Sequence, residues 1–182
     1  MANRVALRDL QARLAQRLEQ ARGQESVAGW LAVEVASQGY LLPLAQAGEI
    51  FPFSLPMKVP YTQDWFAGVV NLRGGVYGVV DLRRFLLGAS AAARTEMARS
   101  QSRYVAFNTA LELNCVLMVD GLVGLRNPQS FVHEQAVQEG GPSYLGPQLV
   151  DEQGRLWQEI DLQKLATDEQ FLSVSASQLA LH

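Results

Sequence analysis

The chain has very little of the chemistry that enzymes and metal sites use. It contains one cysteine, Cys115, and two histidines, His133 and the final residue His182. A lone cysteine excludes an intrachain disulfide and a metal cluster built from several cysteines. His133 would have to act as a base alone, because no Gly-x-Ser-x-Gly nucleophile motif accompanies it. Phosphate-binding glycine loops and metal-ligand spacings are missing too. These absences indicate a binding module without cofactor or metal, not an enzyme.

Long apolar runs and an excess of positive charge are also missing. No apolar stretch approaches the roughly 20 residues of a membrane-spanning helix, and the N-terminus lacks the apolar core of a signal peptide. We therefore expect a cytoplasmic protein without direct membrane insertion. The net charge of -3 gives no general attraction to nucleic acid. With 48% apolar and 18% charged residues, the composition is that of a globular protein that can bury a core.

The first 24 residues predict an amphipathic helix. Its apolar positions recur at three- and four-residue intervals, at Leu7, Leu10, Leu14, Leu18 and Ala21. Between residues 3 and 24, five arginines stand against one aspartate and one glutamate, which gives +3 and leaves about -6 elsewhere. We favour docking onto the acidic body of the same chain. A partner helix or a second copy is the next interpretation, and a membrane surface the last, because the apolar face lacks Trp and Phe.

From Trp30 onward the pattern changes to short strands. Three prolines, Pro52, Pro56 and Pro60, interrupt the first set and predict an irregular connector. The small-residue stretch Ala89–Ser102 is predicted to be a mobile link to a second set of strands. Cys115 begins an apolar run of that second set, so we predict a buried structural thiol.

Two stretches resemble each other and indicate two similar halves. Gly68–Phe85 has the pattern of a strand, a turn, a second strand and an Asp-Leu pair that opens a helix. Gly146–Leu165 repeats this order. In both copies an aspartate, Asp81 or Asp161, stands where the strand passes into the helix. A carboxylate there accepts hydrogen bonds from free backbone N–H groups, so we predict helix caps and not catalytic acids.

The turn in the first copy carries the clearest local signal. Apolar β-branched residues flank an Arg-Gly-Gly sequence at Arg73, Gly74 and Gly75. A tight hairpin requires positive φ angles, which glycine adopts without steric cost. We therefore predict a β-hairpin whose loop uses both glycines.

The same hairpin resembles the signature of the CheW-like adaptor domains of bacterial chemosensory arrays. The likeness rests on Gly68–Phe85, with its Asn-Leu-Arg-Gly and Asp-Leu-Arg sequences. Tyr40–Ile50, which ends in a Glu-Ile pair, and Val116–Arg126 are similar to two further family segments. The likeness runs from about Trp30 to Leu172. The N-terminal extension, the Asp81-Leu82 pair and a reduced C-terminal repeat most resemble the PilI adaptors of type IV pilus systems.

The resemblance implies a mainly β fold. It implies two intertwined five-stranded SH3-like β-barrels, with the N-terminal amphipathic helix and short helices after the hairpins. The chain divides into the helix at 1–24, a CheW-like domain at 28–172 and a tail at 173–182. Within that domain we expect a first barrel at about 36–88 and a second at about 103–162, with strand exchange between them.

The resemblance also implies a function and two docking surfaces. The protein would be a non-catalytic signalling adaptor that couples a methyl-accepting chemoreceptor to the regulatory domain of a CheA-type histidine kinase. Its output would be type IV pilus twitching motility, and receptor arrays at the membrane would recruit it. The kinase-facing residues, expected to be exposed, are Leu42, Leu44 and Ala47. The receptor-binding or loop-shaping residues are Glu49, Asn71, Arg73, Gly74, Val123, Leu125 and Arg126, with Glu49 and Arg73 expected to form a hydrogen-bonded pair.

Two other functions remain open. The apolar stretch 148–150 is shorter than the family's usual strand, which indicates a reduced second barrel. A kinase-binding array spacer, or a sequestering module without receptor coupling, is therefore the first alternative. A β-barrel for a small ligand is the second, and it is disfavoured because polar residues do not converge in any motif.

Overall fold

The computed structural model describes residues 29–136 and 140–176. The helix predicted for 1–24 and the residues 177–182 of the tail lie outside the described residues. Within them are eleven strands: β1 (Trp30–Val35), β2 (Gln38–Pro43), β3 (Ala47–Pro52), β4 (Phe66–Leu72), β5 (Gly75–Asp81), β6 (Arg103–Phe107), β7 (Cys115–Val119), β8 (Gly121–Arg126), β9 (Phe131–Gln135), β10 (Leu145–Asp151) and β11 (Leu156–Ile160). The short helices are α1 (Leu82–Leu87), α2 (Glu96–Gln101), α3 (Leu162–Leu165) and α4 (Glu169–Leu172).

The strands form two sheets. One has five strands in the order β3-β6-β7-β5-β4, and the other has six in the order β8-β1-β2-β11-β10-β9. Each sheet contains one parallel pair, β5 with β7 and β2 with β11, and its other pairs are antiparallel. The prediction of a mainly β fold with two intertwined units is confirmed, and one of the units has six strands instead of five.

The two sheets do not follow the expected ranges 36–88 and 103–162 strand by strand, because strands are exchanged between them. β6 and β7 lie inside the range 103–162 but pair with β3 and β5 of the five-stranded sheet. β2 begins at Gln38, within 36–88, yet it pairs with β1 and β11. Alternation of apolar and polar residues determines which face of a strand is buried, but it does not determine the neighbouring strand. The five-stranded sheet therefore uses residues 47–119, and the other sheet uses both flanking segments.

A shared apolar core joins the two sheets. It contains Leu31 and Val33 of β1, Val105 of β6 and Leu117 of β7. Helices α1 and α4 add aromatic rings: Trp65, just before β4, stacks on Phe171 at 6.1 Å between centroids and contacts Phe85 edge-on at 5.3 Å. Cys115 belongs to this core, and burial raises the pKa of its thiol to about 12. The predicted buried thiol is confirmed.

Both predicted helix caps are present. The Asp81 carboxylate accepts hydrogen bonds from the backbone N–H groups of Arg83 and Arg84 at the start of α1. Asp161 does the same for Gln163 and Lys164 at the start of α3. The internal repeat therefore corresponds to two hairpin-helix units, β4-β5-α1 and β10-β11-α3. The predicted reduction of the second unit is wrong, because β10 extends on both sides of 148–150 and has seven residues.

The proline-rich connector between β3 and β4 lies along the outer edge of β4. Backbone hydrogen bonds of 2.8 and 2.9 Å join Met57 and Val69 in both directions. Gly68, beside Val69, has a φ of 129°. A Cβ atom at Gly68 would lie 2.1 Å from the carbonyl oxygen of Met57, so only glycine lets the connector approach β4 this closely. At Met57 the connector is therefore held to the sheet by its backbone, and the Met57 side chain is exposed to solvent.

Candidate protein-docking sites

The β4-β5 hairpin ends in a two-residue turn. Leu72 pairs with Gly75, and between them Arg73 and Gly74 have φ angles of 50° and 85°. Two successive positive φ angles are required by a type I′ turn, whose twist matches that of the strands. Gly75 instead begins β5, so the prediction that it takes a positive φ is wrong and Arg73 takes that conformation. The Asn71 side chain supports the turn by accepting a hydrogen bond of 3.1 Å from the Gly74 backbone N–H.

Arg73 and Glu49 lie together at the hairpin tip. The Nη1 atom of Arg73 is 2.6 Å from Oε1 of Glu49, and both side chains are exposed to solvent. The Arg73 guanidinium also lies over the Phe51 ring, 5.8 Å from its centroid. The expected contact between the two charged side chains is therefore present, and it joins β3 to the tip of the β4-β5 hairpin. An exposed ion pair contributes about 0–1 kcal/mol to stability, so a role in shaping the loop stays a prediction.

Strand β8 is an edge of the six-stranded sheet and presents exposed apolar side chains. Leu125 lies opposite Leu31 of β1, and Leu122 lies opposite Val33. Paired residues of neighbouring strands share a sheet face, and Leu31 and Val33 belong to the shared core. Leu122 and Leu125 therefore continue the core face beyond its covered area. We call Leu122, Val123 and Leu125, all exposed, the β8 surface.

Two local features of β8 determine how accessible Val123 and Arg126, the other residues expected to bind the receptor, are to a partner. The register shifts between the β1 residues Ala32 and Val33, and Gly124 opposite Ala32 has a φ of 134°, which leaves Val123 without a partner on β1. Arg126 lies over the Trp157 ring at 5.6 Å from its centroid, and its carbonyl accepts a hydrogen bond from the Gly29 N–H. Val123 is thus free to contact a partner, while Arg126 is partly occupied by the protein itself.

The expected kinase-facing strand residues are not an exposed face. Leu42 is 0% exposed and belongs to the shared core, and Ala47 is buried as well. Leu44 is partly buried against the same core. For Leu42 the expectation of exposure is wrong because β2 is an inner strand between β1 and β11, with its Leu42 side directed at the other sheet. Ala47 begins the edge strand β3, but its side chain also belongs to the shared core. The Leu42 and Ala47 side chains therefore offer little surface to a partner.

Comparison with known proteins decides the family. Residues 29–170 match the family model described as the CheW-like domain. The chain belongs to the CheW-like domain family. A search of the curated proteins gives no match. Among solved structures, the scaffolding protein TtCheW from Thermoanaerobacter tengcongensis is similar with a TM-score of 0.61 and 17% identity, over 85% of this chain and 99% of that one.

Membership in the CheW-like family confirms the resemblance inferred from the hairpin. CheW-like proteins are non-catalytic scaffolds of chemotaxis signalling, so this chain is a CheW-like scaffolding adaptor. Its expected fold is also confirmed, since the solved CheW scaffold matches 85% of this chain. Within residues 29–136 and 140–176, no helix is long and apolar enough to cross a membrane.

The connector of this CheW-like domain carries exposed apolar side chains that sequence analysis missed. Leu55, Met57 and Tyr61 are more than two-thirds exposed, and we call these three residues the connector patch. The signal was present, because apolar residues alternate with polar residues and prolines from 53 to 61. Such alternation predicts an extended segment with one apolar face. In the structure that face points to solvent, which is typical of a protein-docking surface.

A buried ion cluster holds the stretch that was predicted to be a mobile link. The Arg94 side chain is 4% exposed and contacts the carboxylates of Asp81, at 2.5 Å, and Asp120. Asp120 also accepts a hydrogen bond of 2.6 Å from the Ala36 N–H in the β1-β2 turn. We call Arg94, Asp81 and Asp120 the Arg94 clamp. It joins the end of β5, the β7-β8 turn and the β1-β2 turn, so the prediction of a mobile Ala89–Ser102 link is wrong.

The charge on Arg94 is maintained despite its burial. Burial alone would lower the pKa of Arg94, but the hydrogen bonds and negative charges of Asp81 and Asp120 outweigh burial and raise it. One guanidinium nitrogen, Nη2, is buried without a hydrogen-bond partner among the described residues. Arg94 lies in a stretch of mostly small residues with Glu96 and Arg99 nearby, so nothing in the sequence indicates that it is buried.

Proposed function

We propose that this CheW-like adaptor couples the helical tip of a chemoreceptor to a CheA-type histidine kinase. The observation that carries the proposal is the presence of two separate exposed apolar surfaces, each held by backbone pairing. The connector patch lies beside β4, an edge of the five-stranded sheet, and the β8 surface lies on an edge of the six-stranded sheet. An adaptor requires two such surfaces, and a soluble chain that exposes them without partners risks aggregation.

The kinase contact is proposed for the connector patch. Leu42 and Ala47 are buried in the shared core, so they are not proposed as direct contacts. Leu55, Met57 and Tyr61 offer the exposed apolar area that a regulatory β domain of the kinase needs. Since the Met57 backbone is paired with β4, the patch is preformed and loses little conformational freedom on binding.

The receptor contact is proposed for the β8 surface. A receptor tip is a pair of helices, and a helix presents apolar residues in a stripe that fits a narrow exposed row such as Leu122 and Leu125, with Val123 beside it at the irregularity of β8. Glu49 and Arg73 are proposed to hold the hairpin turn in the form that the receptor complex requires. Control of type IV pilus twitching is the finer part of the proposal, and the N-terminal extension and the Asp81-Leu82 pair support it. The spacer alternative was based on a reduced second unit, and this basis is removed because β10 is not reduced.

Met57→Asp is expected to weaken binding to the regulatory region of a CheA-type kinase from the same genome at least about tenfold, because it places a charge in an apolar contact. The measurement is titration calorimetry on the purified proteins. Met97→Asp is the matched control, since Met97 on α2 is 73% exposed and Met57 is 71% exposed. Leu125→Asp is expected to weaken binding of a receptor-tip fragment in the same way, with Leu172→Asp on α4 as its control.

Each result bears on a different part of the proposal. Failure of the folded wild-type protein to bind either partner would refute the coupling function. Kinase binding without receptor binding would favour the spacer or sequestering alternative. Equal losses in Met57→Asp and Met97→Asp would show that the connector patch is not the contact.

Arg73→Glu is expected to reduce receptor affinity several-fold while leaving folding intact, because it places two negative charges side by side at the hairpin tip. The swapped pair Glu49→Arg with Arg73→Glu should recover most of the affinity, since it restores opposite charges. Calorimetry gives the affinities and thermal unfolding checks the fold. Unchanged stability and unchanged affinity for both partners in Arg73→Glu would eliminate the loop-shaping role.

A further inference from the structure

We propose that residues 3–24 bind the β8 surface of the same chain and mask it until a partner helix displaces them. The masking itself is independent of the partner's identity, and the choice of a receptor helix as the displacing partner rests on the proposed function. The segment would therefore act as an internal competitor of the receptor.

The β8 surface needs a cover in the free protein. Leu125 is 58% exposed although its neighbour in the register, Leu31, is 5% exposed. The apolar face of the sheet thus continues past the edge of the core, at the end of the sheet where β8 has no further neighbour. Burial of apolar side chains gains free energy in proportion to the area removed from water, so an apolar helix face placed here is stabilised.

The chain leaves the described region at this same place. The Gly29 N–H donates to the Arg126 carbonyl at the end of β8 over 2.8 Å, and the Gly29 carbonyl accepts from the Leu44 N–H over 2.9 Å. Gly29 therefore lies beside the Arg126 end of β8, and Leu125 is the next residue along that strand. The four residues 25–28 can span up to about 14 Å, which is enough for a preceding helix to turn back along β8.

Length and charge fit the proposed contact. In a helix, the row from Leu7 to Leu18 would measure about 17 Å, because each residue adds about 1.5 Å. Strand β8, Gly121–Arg126, extends over about 17 Å as well. Residues 1–28 carry five arginines against three acidic residues, which gives +2 and leaves -5 for the rest of the chain out of the total of -3. The segment is attracted to its own protein, and this attraction weakens as salt is added.

Competition follows from shared chemistry. A receptor tip and the N-terminal segment would both present an amphipathic helix to one narrow apolar row. If the segment occupies the β8 surface nine-tenths of the time, the apparent affinity for another helix falls about tenfold. The segment would then set a threshold that only a receptor presented at high local concentration, as in an array, can exceed.

The test is the accessibility of a cysteine placed in the β8 surface of the full chain. Val123→Cys adds an exposed thiol, while the native Cys115 is buried with a raised pKa and reacts slowly. We expect maleimide labelling of Val123→Cys to become at least about fivefold faster when Leu10→Asp and Leu14→Asp disrupt the apolar face of the segment. Gln16→Asp with Gln20→Asp adds the same charge to the polar face and should leave the rate unchanged. The labelling rate of Met97→Cys should be the same with the unchanged segment and with either pair of aspartate substitutions.

Equal labelling of Val123→Cys in all backgrounds would overturn the proposal. Protection that grows with protein concentration would overturn it in favour of a second copy. Protection that appears only with lipid vesicles would overturn it in favour of a membrane surface. A receptor-tip fragment separates masking from coupling, because its affinity should rise about five- to tenfold in the Leu10→Asp, Leu14→Asp chain. Labelling of Val123→Cys could accelerate while the receptor-tip fragment binds neither the unchanged chain nor the Leu10→Asp, Leu14→Asp chain. That result would support masking by the segment and would refute receptor coupling.

Discussion

Replacing Arg94 with alanine is expected to lower the free energy of unfolding by about 3–5 kcal/mol, the usual cost of breaking a buried ion pair by removing one partner. Arg94 is the shared cation of Asp81 and Asp120, and Asp81 is itself buried. The remaining cation near Asp81 is the more exposed Arg84, whose Nε lies 4.0 Å away. The negative charges of Asp81 and Asp120 would therefore lack a close cation. The segments that the two carboxylates join would be held less firmly.

Urea denaturation of the full chain measures this loss. Arg99→Ala is the control, because Arg99 lies on the neighbouring helix α2 and is exposed, and it should change stability by less than about 0.5 kcal/mol. The double variant Arg94→Ala with Asp120→Asn should recover part of the loss, because it removes one of the stranded charges. A loss below about 1 kcal/mol in Arg94→Ala would mean that the clamp does not hold the end of β5 and the two turns together.

Gly68→Ala is expected to destabilise the protein by about 3 kcal/mol or more, because it combines two costs. The new Cβ would lie 2.1 Å from the Met57 carbonyl oxygen and 2.7 Å from its carbon, which are backbone atoms that cannot rotate away. The φ of 129° at Gly68 is also strained for any residue with a side chain. To relieve the clash, the connector has to move away from β4 and break its hydrogen bonds with Val69.

A series of glycine substitutions separates the two costs. Gly121→Ala meets no atom within 4 Å and has an ordinary φ, so it should be nearly neutral. Gly74→Ala also meets open space but has a φ of 85°, so it should show the strain alone, about 1 kcal/mol. Chemical denaturation ranks the three variants, and kinase titration should show that Gly68→Ala also weakens the connector patch. If Gly68→Ala were no more costly than Gly74→Ala, the close approach of the connector would be unimportant.

Local features of the fold were predictable from the sequence, and long-range ones were not. The hairpin at Arg73 and the caps at Asp81 and Asp161 depend on residues within a few positions of each other, so their patterns are visible in the chain. The pairing of β2 with β11 joins positions more than 100 residues apart, and no local pattern encodes it. The burial of Leu42 followed from that pairing and was therefore missed.

The candidate sites show the same difference between features that the sequence predicts and features that it does not. The contact between Glu49 and Arg73 was expected from the family resemblance, and the structure brings the two side chains together. The connector patch was overlooked because prolines suggested an irregular segment, although the alternation around Met57 was already an extended pattern. The role of Arg94 could not be predicted, since its partners Asp81 and Asp120 come from two different turns.

The order of strands along the chain has a consequence for synthesis and folding. The five-stranded sheet uses one continuous stretch, so it can form as soon as Val119 has left the ribosome. Strands β1 and β2 are made first but reach their outer neighbours β8 and β11 only after the whole of that stretch. Leu31 and Val33 remain without their final cover during this interval, and such late long-range pairing slows folding and exposes a nascent chain to aggregation. A ribosome pause or chaperone requirement should therefore be sought between β7 and β11, long after the vulnerable strands have left the ribosome.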